Sequence, residues 1–200
     1  MPGTMIVHDT AVLGRITPGS STAPNVYPVN EHVGVQHIFN WVNSYARSCN
    51  GLSNLFILAH GLVNRPMHDA RLAMSYRASG GGGEIQLGRE GLHLGNISLT
   101  AIISGQVARI TLLSCSIANN SDGRIRNTRF DGWQLCREFA GYTRAEVIAS
   151  AVNQDYSRRG NNFVTRFLGL ADEIDWSTLT DMEPPVYSFP SDGSEPRRIR

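Results

Sequence analysis

Lysine is absent from this sequence: all 18 of its basic residues are arginine, although lysine is normally among the commonest amino acids. Two explanations stay open. A GC-rich coding bias combined with chance would produce the pattern without selection. Selection against ubiquitination would produce it in a protein that works inside a foreign eukaryotic cell. The absence of lysine therefore leaves action inside a host cell among the candidate functions without assigning it.

Long apolar runs are also lacking, because none approaches the roughly 20 residues of a membrane-spanning helix. The first residues, MPGTMIVHDT, contain no basic region followed by an apolar segment, so we expect no classical signal peptide. Three cysteines, an odd number, argue against a disulfide framework and favour a reducing compartment. We therefore expect no membrane span. The expected location is the cytoplasm, or a host or target cell reached by secretion without a classical signal peptide.

Net charge is small as well, at +1, with an isoelectric point of about 7.8. Such a balance provides no bulk electrostatic attraction to nucleic acid or to an anionic membrane, so neither is an expected partner. What is present is an ordinary globular composition, 41% hydrophobic over 200 residues. A chain of this size can bury a core without disulfides or metals, and we expect a single domain over residues 1–200.

Apolar periodicity divides the first part of the chain into a strand, a loop and a helix. The run MIVHD (Met5–Asp9) predicts a strand, and the breaker-rich segment 14–30 predicts an irregular loop. A helix is predicted from Glu31, with Asn30 as its N-cap and Asn50-Gly51 as its stop signal. Its predicted apolar face is Val35, Ile38, Phe39, Val42 and Tyr45.

The alternation continues to about Tyr156. Strands are predicted at NLFILAHG, ARITLLSC and AEVIASAVNQ, and helices at SLTAIISGQV and WQLCREFAGYT. The glycines Gly80–Gly83 predict a hairpin or lid loop rather than a phosphate loop, because neither Lys-Ser/Thr nor a helix start follows them. We expect an α/β fold with a mainly parallel sheet and a core over about 5–156. Residues 157–200 would form a C-terminal extension, with a late strand at PPVYSFPSDG and a loose tail at SEPRRIR.

Two of the predicted strands finish on a reactive side chain, His60 in LFILAHGLV and Cys115 in ARITLLSCS. In open parallel sheets, ligands bind beyond the carboxyl ends of the strands. Two such strands side by side would bring an imidazole and a thiol to one edge, which is what a cysteine nucleophile requires. The sequence therefore predicts a shared site at this edge.

A strand ending in His-Gly, followed by a strand ending in Cys on an α/β alternation, resembles the caspase-like cysteine peptidases. This superfamily includes caspases, metacaspases, gingipains, separase and the self-cleaving domains of large bacterial toxins. The block GEIQLGREGLHLGNISL…ITLLSCSIA…DGWQLCREFAGYTRAEVIAS is similar to caspase-like domains near the N-termini of giant bacterial adhesins, and more loosely to bacterial domains fused to helical repeats. The resemblance covers roughly Asn54 to Tyr156. It implies a caspase-like three-layer sandwich in which helices flank the sheet.

The resemblance implies a role for each residue of the edge. Cys115 would be the nucleophile, His60 the base, and the backbone N–H groups of Gly61 and Cys115 the oxyanion hole. Thiol chemistry agrees, because a free thiol with a pKa of about 8.5 needs a neighbouring imidazole to activate it. No cofactor is required. The sequence departs from the family pattern at Ser114-Cys115-Ser116, where many relatives have a small residue, then Cys, Arg or Glu, and Gly.

A substrate pocket is also implied, built from the ends of the first strand, the nucleophile strand and the strand beyond it. The residues at those ends are Asp9, Ser114, Ser150, Gln154 and Asp155. The two aspartates would suit a basic P1 residue of a protein or peptide substrate through charge-assisted pairing. The alternative is that each aspartate is a turn or cap residue.

The polar loop after Cys115, NNSDGRIRNTRFDG, resembles the cleavable segment of several relatives. Self-cleavage would then use Arg124, Arg126 or Arg129, and the alternative is an ordinary surface loop.

Three functions are compatible with these features. They are a caspase-like cysteine endopeptidase acting as a bacterial effector or toxin, a catalytically silent caspase-like binding module, and an acyl- or ubiquitin-directed cysteine hydrolase. Cys49 and Cys136 fall on helical core positions and are interpreted as packing residues. The histidines His60, His68 and His93 lack ligand spacing with the cysteines, so no metal site is expected.

Overall fold

A computed structural model describes residues 3–12, 15–17, 25–62, 83–119, 131–152, 173–175 and 182–200 of the chain. Within these ranges lie two α-helices, one 3₁₀ helix and twelve strands. The helices are α1 (Val35–Ser48), the 3₁₀ helix (Ile97–Ile103) and α2 (Gly132–Thr143). The strands are β1 (Gly3–Asp9), β2 (Arg15–Thr17), β3 (Asn25–Val29), β4 (Leu52–Leu58), β5 (His60–Leu62), β6 (Glu84–Gln86), β7 (Leu92–His93), β8 (Arg109–Leu113), β9 (Glu146–Ser150), β10 (Glu173–Asp175), β11 (Val186–Phe189) and β12 (Arg197–Arg198).

Seven strands form the central sheet, in the order β12-β11-β9-β8-β4-β1-β3. The five strands from β9 to β3 are parallel to their neighbours, whereas β11 is antiparallel to both β9 and β12. Two small sheets accompany it, the antiparallel β5-β6-β7 and the parallel pair β10-β2. The protein is thus a mixed α/β fold with a mostly parallel central sheet, which is compatible with a three-layer architecture.

The two faces of this sheet bury different clusters, because successive side chains of a strand alternate between them. The larger cluster joins Leu55 and Ile57 of β4, together with Ile110 and Leu112 of β8, to the buried sides of α1 and α2. The smaller cluster covers the other face and contains Ile6, Phe56, Leu58, Leu113, Ile148, Met182 and Val186. We call the face covered by the larger cluster the helix face of the sheet, and the face covered by the smaller cluster the second face.

Helix α1 confirms most of the predicted apolar face but begins later than predicted. Four of the five predicted positions are buried, and Ala46 rather than Tyr45 completes the set. Asn30 is not the N-cap: its side chain accepts a hydrogen bond from the His32 amide in a turn before the helix, and Gly34 occupies the cap position. The first helical amide, on Val35, donates to Glu90 Oε1 at 2.9 Å. A carboxylate from 55 residues away therefore caps the helix.

The segment predicted as an irregular loop contains two strands, which corrects that prediction. Residues Asn25–Val29 form β3, an edge strand parallel to β1 with Pro28 opposite His8. Proline reads as a breaker, yet an edge strand tolerates it because one side of the strand carries no partner. The predicted loose tail differs in the same way, because Arg197–Arg198 form β12 against β11. Short edge strands carry too little apolar pattern to be recognised from sequence.

The strands and helices of the centre agree with the predictions. Strands β8 and β9 lie within the predicted runs, β1 and β4 each begin two residues before theirs, and Leu135, Cys136 and Phe139 lie on the buried side of α2. Cys49 lies one residue past the end of α1, at its C-cap, where it packs against the core. Gly80 to Gly82 lie outside the described residues, and the described hairpin connects β6 to β7.

Candidate active site

His60 and Cys115 lie at the same level of the carboxyl edge of the sheet. Strands β4 and β8 are adjacent and parallel, and their last paired positions are Leu58 and Leu113. His60 and Cys115 each follow these positions by two residues. The fold thus brings together the two residues that the sequence predicts as a dyad.

The last paired residues of the two strands share one face of the sheet. Leu58 and Leu113 belong to the second face. Ala59, the next residue after Leu58, belongs to the helix face. His60 then begins β5 in the small antiparallel sheet, and Cys115 lies in the turn that follows β8. Both side chains are partly exposed, as residues that meet a substrate must be.

The backbone of Gly61, the residue after His60, is in direct contact with the backbone of Cys115. A Cβ atom on Gly61 would overlap the carbonyl oxygen of Cys115 and lie 3.0 Å from its carbonyl carbon and 3.2 Å from its amide nitrogen. Because these neighbours are backbone atoms, no rotamer change could relieve the overlap. Glycine is therefore the residue that this close approach requires. It brings together the two residues predicted to supply the oxyanion hole.

The imidazole of His60 has a defined hydrogen-bond partner. Its Nε2 lies 3.2 Å from the carbonyl oxygen of Ala11, in the turn after β1. A carbonyl can only accept, so Nε2 donates and carries a proton. In the neutral ring Nδ1 then has a lone pair, which is the acceptor that a thiol proton requires. The backbone of His60 is held separately, by pairing with Gln86 across β5 and β6.

The turn after Cys115 has an unusual backbone. Ser116 adopts φ of 48°, in the left-handed region that non-glycine residues seldom enter. Hydrogen bonds fix the turn to the end of β9: the amide of Ser116 donates to Val152 O at 2.8 Å, and that of Ala118 donates to Ser150 O at 2.9 Å. Strained conformations of this kind cluster at functional sites.

The predicted pocket residues have different environments. Asp9 is only 3% exposed, and its two carboxylate oxygens accept hydrogen bonds from the amides of Ala11 and Gly88. Ser150 is fully buried, and its hydroxyl donates to Glu183 O at 2.8 Å. Ser114 is also fully buried, with no hydrogen-bond partner for Oγ among the described residues. The other predicted residues, Gln154, Asp155, Arg124, Arg126 and Arg129, lie outside the described ranges.

Two participants in this edge were not predicted from the sequence. The Ala11 carbonyl is one, and no sequence signal could reveal it because every residue carries a carbonyl group. The second is His8 of β1, which is opposite Leu58 of β4 and only 5% exposed. Its Nε2 donates to Val12 O at 3.1 Å. Burial lowers the pKa of His8, and the Val12 carbonyl and the nearby Asp9 charge oppose this effect. The sequence signal that could have identified it is its position in MIVHD, two residues after Ile6 and therefore on the same face of the predicted strand.

The remaining cysteines lie in other environments. Cys136 is fully buried in α2, where burial, together with the charge of Asp131, raises the pKa of its thiol and disfavours the reactive thiolate. The Cys49 Sγ lies within hydrogen-bonding distance of two carbonyl oxygens at the end of α1, Gly51 O at 3.2 Å and Tyr45 O at 3.3 Å. Among the three cysteines, Cys115 is thus the one that lies beside a histidine-bearing strand end.

A pocket of about 400 Å³ occupies the second face near the amino ends of the strands. Its lining includes Phe56, Ile148 and Met182, with Arg109 and Glu146 beside them. It contains no cysteine or histidine. Thr111 lines the pocket and precedes Cys115 by four residues of chain, roughly 13 Å along a strand. The pocket and the candidate dyad are therefore separate features.

Within the described ranges, no three His, Cys, Asp or Glu side chains come together in a group that could hold a metal ion. None of the helices in the same ranges is long and apolar enough to cross a bilayer. No protein-family model matches this chain, and comparisons with curated proteins and with solved structures found no match either.

Proposed function

We propose that this protein is a cysteine endopeptidase of the caspase-like type, with Cys115 as nucleophile and His60 as general base. The observation that carries the proposal is the alignment of two adjacent parallel strand ends. His60 and Cys115 follow the paired residues Leu58 and Leu113 by the same number of positions, and Gly61 lies against the Cys115 backbone. A thiol and a base on one sheet edge form the pair that activates a cysteine nucleophile.

The proposed mechanism follows from the tautomer of His60. Its Nε2–H donates to Ala11 O, so Nδ1 takes the thiol proton as the Cys115 sulfur attacks the scissile carbonyl carbon. The resulting oxyanion would be stabilised by the N–H groups of Gly61 and Cys115. The C–N bond then breaks, the leaving amine takes the proton back from His60, and water hydrolyses the Cys115 thioester.

The finer features of the function are part of the same proposal. The substrate is a protein or peptide with a basic P1 residue, and Asp155 is the acidic residue proposed to recognise it. The loop that contains Arg124, Arg126 and Arg129 is the self-cleavage site. The protein is a bacterial effector or toxin that acts in the cytoplasm or in a target cell, where selection against ubiquitination would account for the absence of lysine. No cofactor takes part in the reaction.

The test uses a thiol-reactive peptide electrophile with arginine at P1, followed by mass spectrometry of the labelled cysteine. We expect selective labelling of Cys115 over Cys49 and Cys136, its loss in His60→Ala, and no peptide hydrolysis by Cys115→Ala. The fold should survive Cys115→Ala, because the residue is partly exposed beyond a strand end. Equal inertness of all three thiols would contradict the enzyme and support a catalytically silent binding module. Hydrolysis of ubiquitin or acyl thioesters without peptide cleavage would instead support the third candidate.

A further inference from the structure

The buried carboxylate of Asp9 joins the two elements that hold His60. Its Oδ1 accepts a hydrogen bond from the Ala11 amide at 2.9 Å, and its Oδ2 accepts one from the Gly88 amide at 2.8 Å. The side chain is only 3% exposed. Hydrogen bonds to a charged acceptor are stronger than those between neutral groups. This carboxylate is therefore a firm link between the turn after β1 and the β6–β7 hairpin.

The first link leads to the imidazole ring. Ala11 donates its amide to Asp9 and receives the His60 Nε2–H on its carbonyl oxygen at 3.2 Å. The same turn is fixed by two further hydrogen bonds, from the Thr10 amide to Val29 O and from the Val12 amide to Asp9 O. Asp9 therefore helps to orient the acceptor that fixes the tautomer of His60.

The second link leads to the backbone of His60. Gly88 lies two residues beyond Gln86, the residue paired with His60. The far side of the hairpin is anchored at the start of α1, where the Arg89 amide donates to Val33 O at 2.9 Å and Glu90 caps the helix. Through Gly88, Asp9 ties this hairpin to the end of β1, adjacent to β4.

We propose that Asp9 is a positioning residue, which holds the Ala11 carbonyl and the β5–β6 pairing so that Nδ1 of His60 faces Cys115. It acts through backbone groups and touches neither substrate nor thiol. The inference rests on the proposed function for its catalytic consequence. It differs from the sequence-based hypothesis, in which Asp9 lines a pocket for a basic P1 residue. The two roles predict different consequences of Asp9→Asn.

The test compares the wild type with Asp9→Asn and a matched control, Asp131→Asn. Asp131 is another buried aspartate that accepts a backbone amide, from Gln134 at 2.9 Å at the start of α2. Asparagine is an equally good N-cap, so this control isolates the change from carboxylate to amide. Nitrogen-15 NMR reports the tautomer of His60, whose signal is assigned by its loss in His60→Gln. Steady-state kinetics use two peptides that differ only in arginine or alanine at P1.

We expect the wild-type signal of His60 to be that of the Nε2–H tautomer. Asp9→Asn should mix the tautomers and lower kcat about tenfold to a hundredfold for both peptides, because small misplacements of a reacting group have effects of this size. KM should change little, and Asp131→Asn should match the wild type. If Asp9→Asn does not fold, Asp9→Glu displaces the same carboxylate by one methylene and should give the same changes.

Three results would overturn the positioning role. They are an Nδ1–H or mixed tautomer in the wild type, an unchanged tautomer and kcat in whichever Asp9 variant folds, and a loss confined to KM for the arginine peptide. The last result would identify Asp9 as a pocket residue. If the wild type cleaves no peptide, the proposed function fails, but the tautomer change in the Asp9 variant still decides the positioning role.

Discussion

The two ends of the central sheet use polar residues in opposite ways. At the amino end, Arg109 and Glu146 face each other on β8 and β9, with 2.7 Å between Nε and Oε2 and side chains 53% and 34% exposed. At the carboxyl end, Asp9 and Ser150 are buried, and their side chains bond backbone groups of loops. An exposed ion pair adds little to stability. Buried side chains bonded to backbone hold loops in place, which a reaction site requires.

The described pocket and the candidate dyad lie toward opposite ends of the parallel strands. The pocket of about 400 Å³ lies near the amino ends, where its lining offers neither thiol nor imidazole. Chemistry favours the carboxyl end, where His60 and Cys115 follow paired strand positions and Ser116 has a left-handed backbone. Parallel strands deliver all their carboxyl ends to one edge, so reactive loop residues accumulate there. The following predictions test this contrast, from the largest expected effect to the smallest.

Replacing the base should give the largest effect. His60→Ala should lower kcat/KM for peptide hydrolysis by about a hundredfold to ten-thousandfold, the usual contribution of a general base. The measurement is steady-state hydrolysis of a fluorogenic peptide. His37→Ala is the control, because His37 is exposed on α1 and should be without effect. Equal activity of the two variants would remove the carboxyl edge as the catalytic region.

Gly61→Ala should affect both stability and activity. The added Cβ would meet the backbone of Cys115, so we expect a loss of about 1–3 kcal/mol in the free energy of unfolding, together with a loss of peptide hydrolysis. The matched control is Gly141→Ala in α2, where an added Cβ meets no atom within 4 Å. Helix propensity predicts a gain of about 0.5–1 kcal/mol there. Chemical denaturation measures both, and a Gly61→Ala variant as stable as the wild type would contradict the close contact.

At the carboxyl end, the titration of His8 should make the free energy of unfolding depend on pH. Burial lowers the pKa of His8 in the folded protein, so as pH falls below about 6.5 the unfolded chain binds the proton first. Stability is therefore present above that pH and is lost as pH falls through the lower folded pKa. We expect His8→Gln, which keeps a donor for Val12 O, to lose less stability than the wild type between pH 7.5 and 5.5. Identical losses in urea titrations would show that His8 is not the titrating group.

The ion pair at the amino end should give the smallest effect. Burial alone would raise the pKa of Glu146, but hydrogen bonds from Ser188 and Arg109 and the charge of Arg109 lower it overall. Its stabilisation is therefore present above the ordinary glutamate pKa of about 4.3 and is lost as pH falls through the lower folded value. Because the pair is largely exposed, Glu146→Gln should lower the free energy of unfolding by about 0.2–1 kcal/mol at pH 7 and by less at pH 3.5.

The activity of Glu146→Gln should equal that of the wild type. Arg137→Gln is a second control, because Arg137 and Glu195 form a more exposed pair at 4.0 Å and should contribute nothing measurable. A strong loss of peptide hydrolysis in Glu146→Gln would show that the amino end belongs to the active site, and the contrast between the two ends would fail.

The sequence predicted the central elements of the fold because their signals are local. Four of the strands and the buried sides of α1 and α2 follow from apolar residues at fixed spacing. The positions of His60 and Cys115 follow from the same signals, since each ends an apolar run. Their alignment across β4 and β8 was expected from parallel pairing, and the structure supplies the register. The edge strands β3 and β12 were missed because two to five residues carry no clear period.

What the sequence by itself determined is therefore the alternation of strands and helices and the presence of a thiol and an imidazole at strand ends. The tertiary structure alone decided which hydrogen bonds hold the surrounding elements. The Ala11 carbonyl accepts from His60, the Gly88 amide donates to Asp9, and the Glu90 carboxylate caps α1. These contacts join residues 49, 79 and 55 positions apart. Each of them has a backbone group as one partner, and such groups differ little from residue to residue. A local pattern cannot encode such partners, because they exist only once the sheet has brought the loops together.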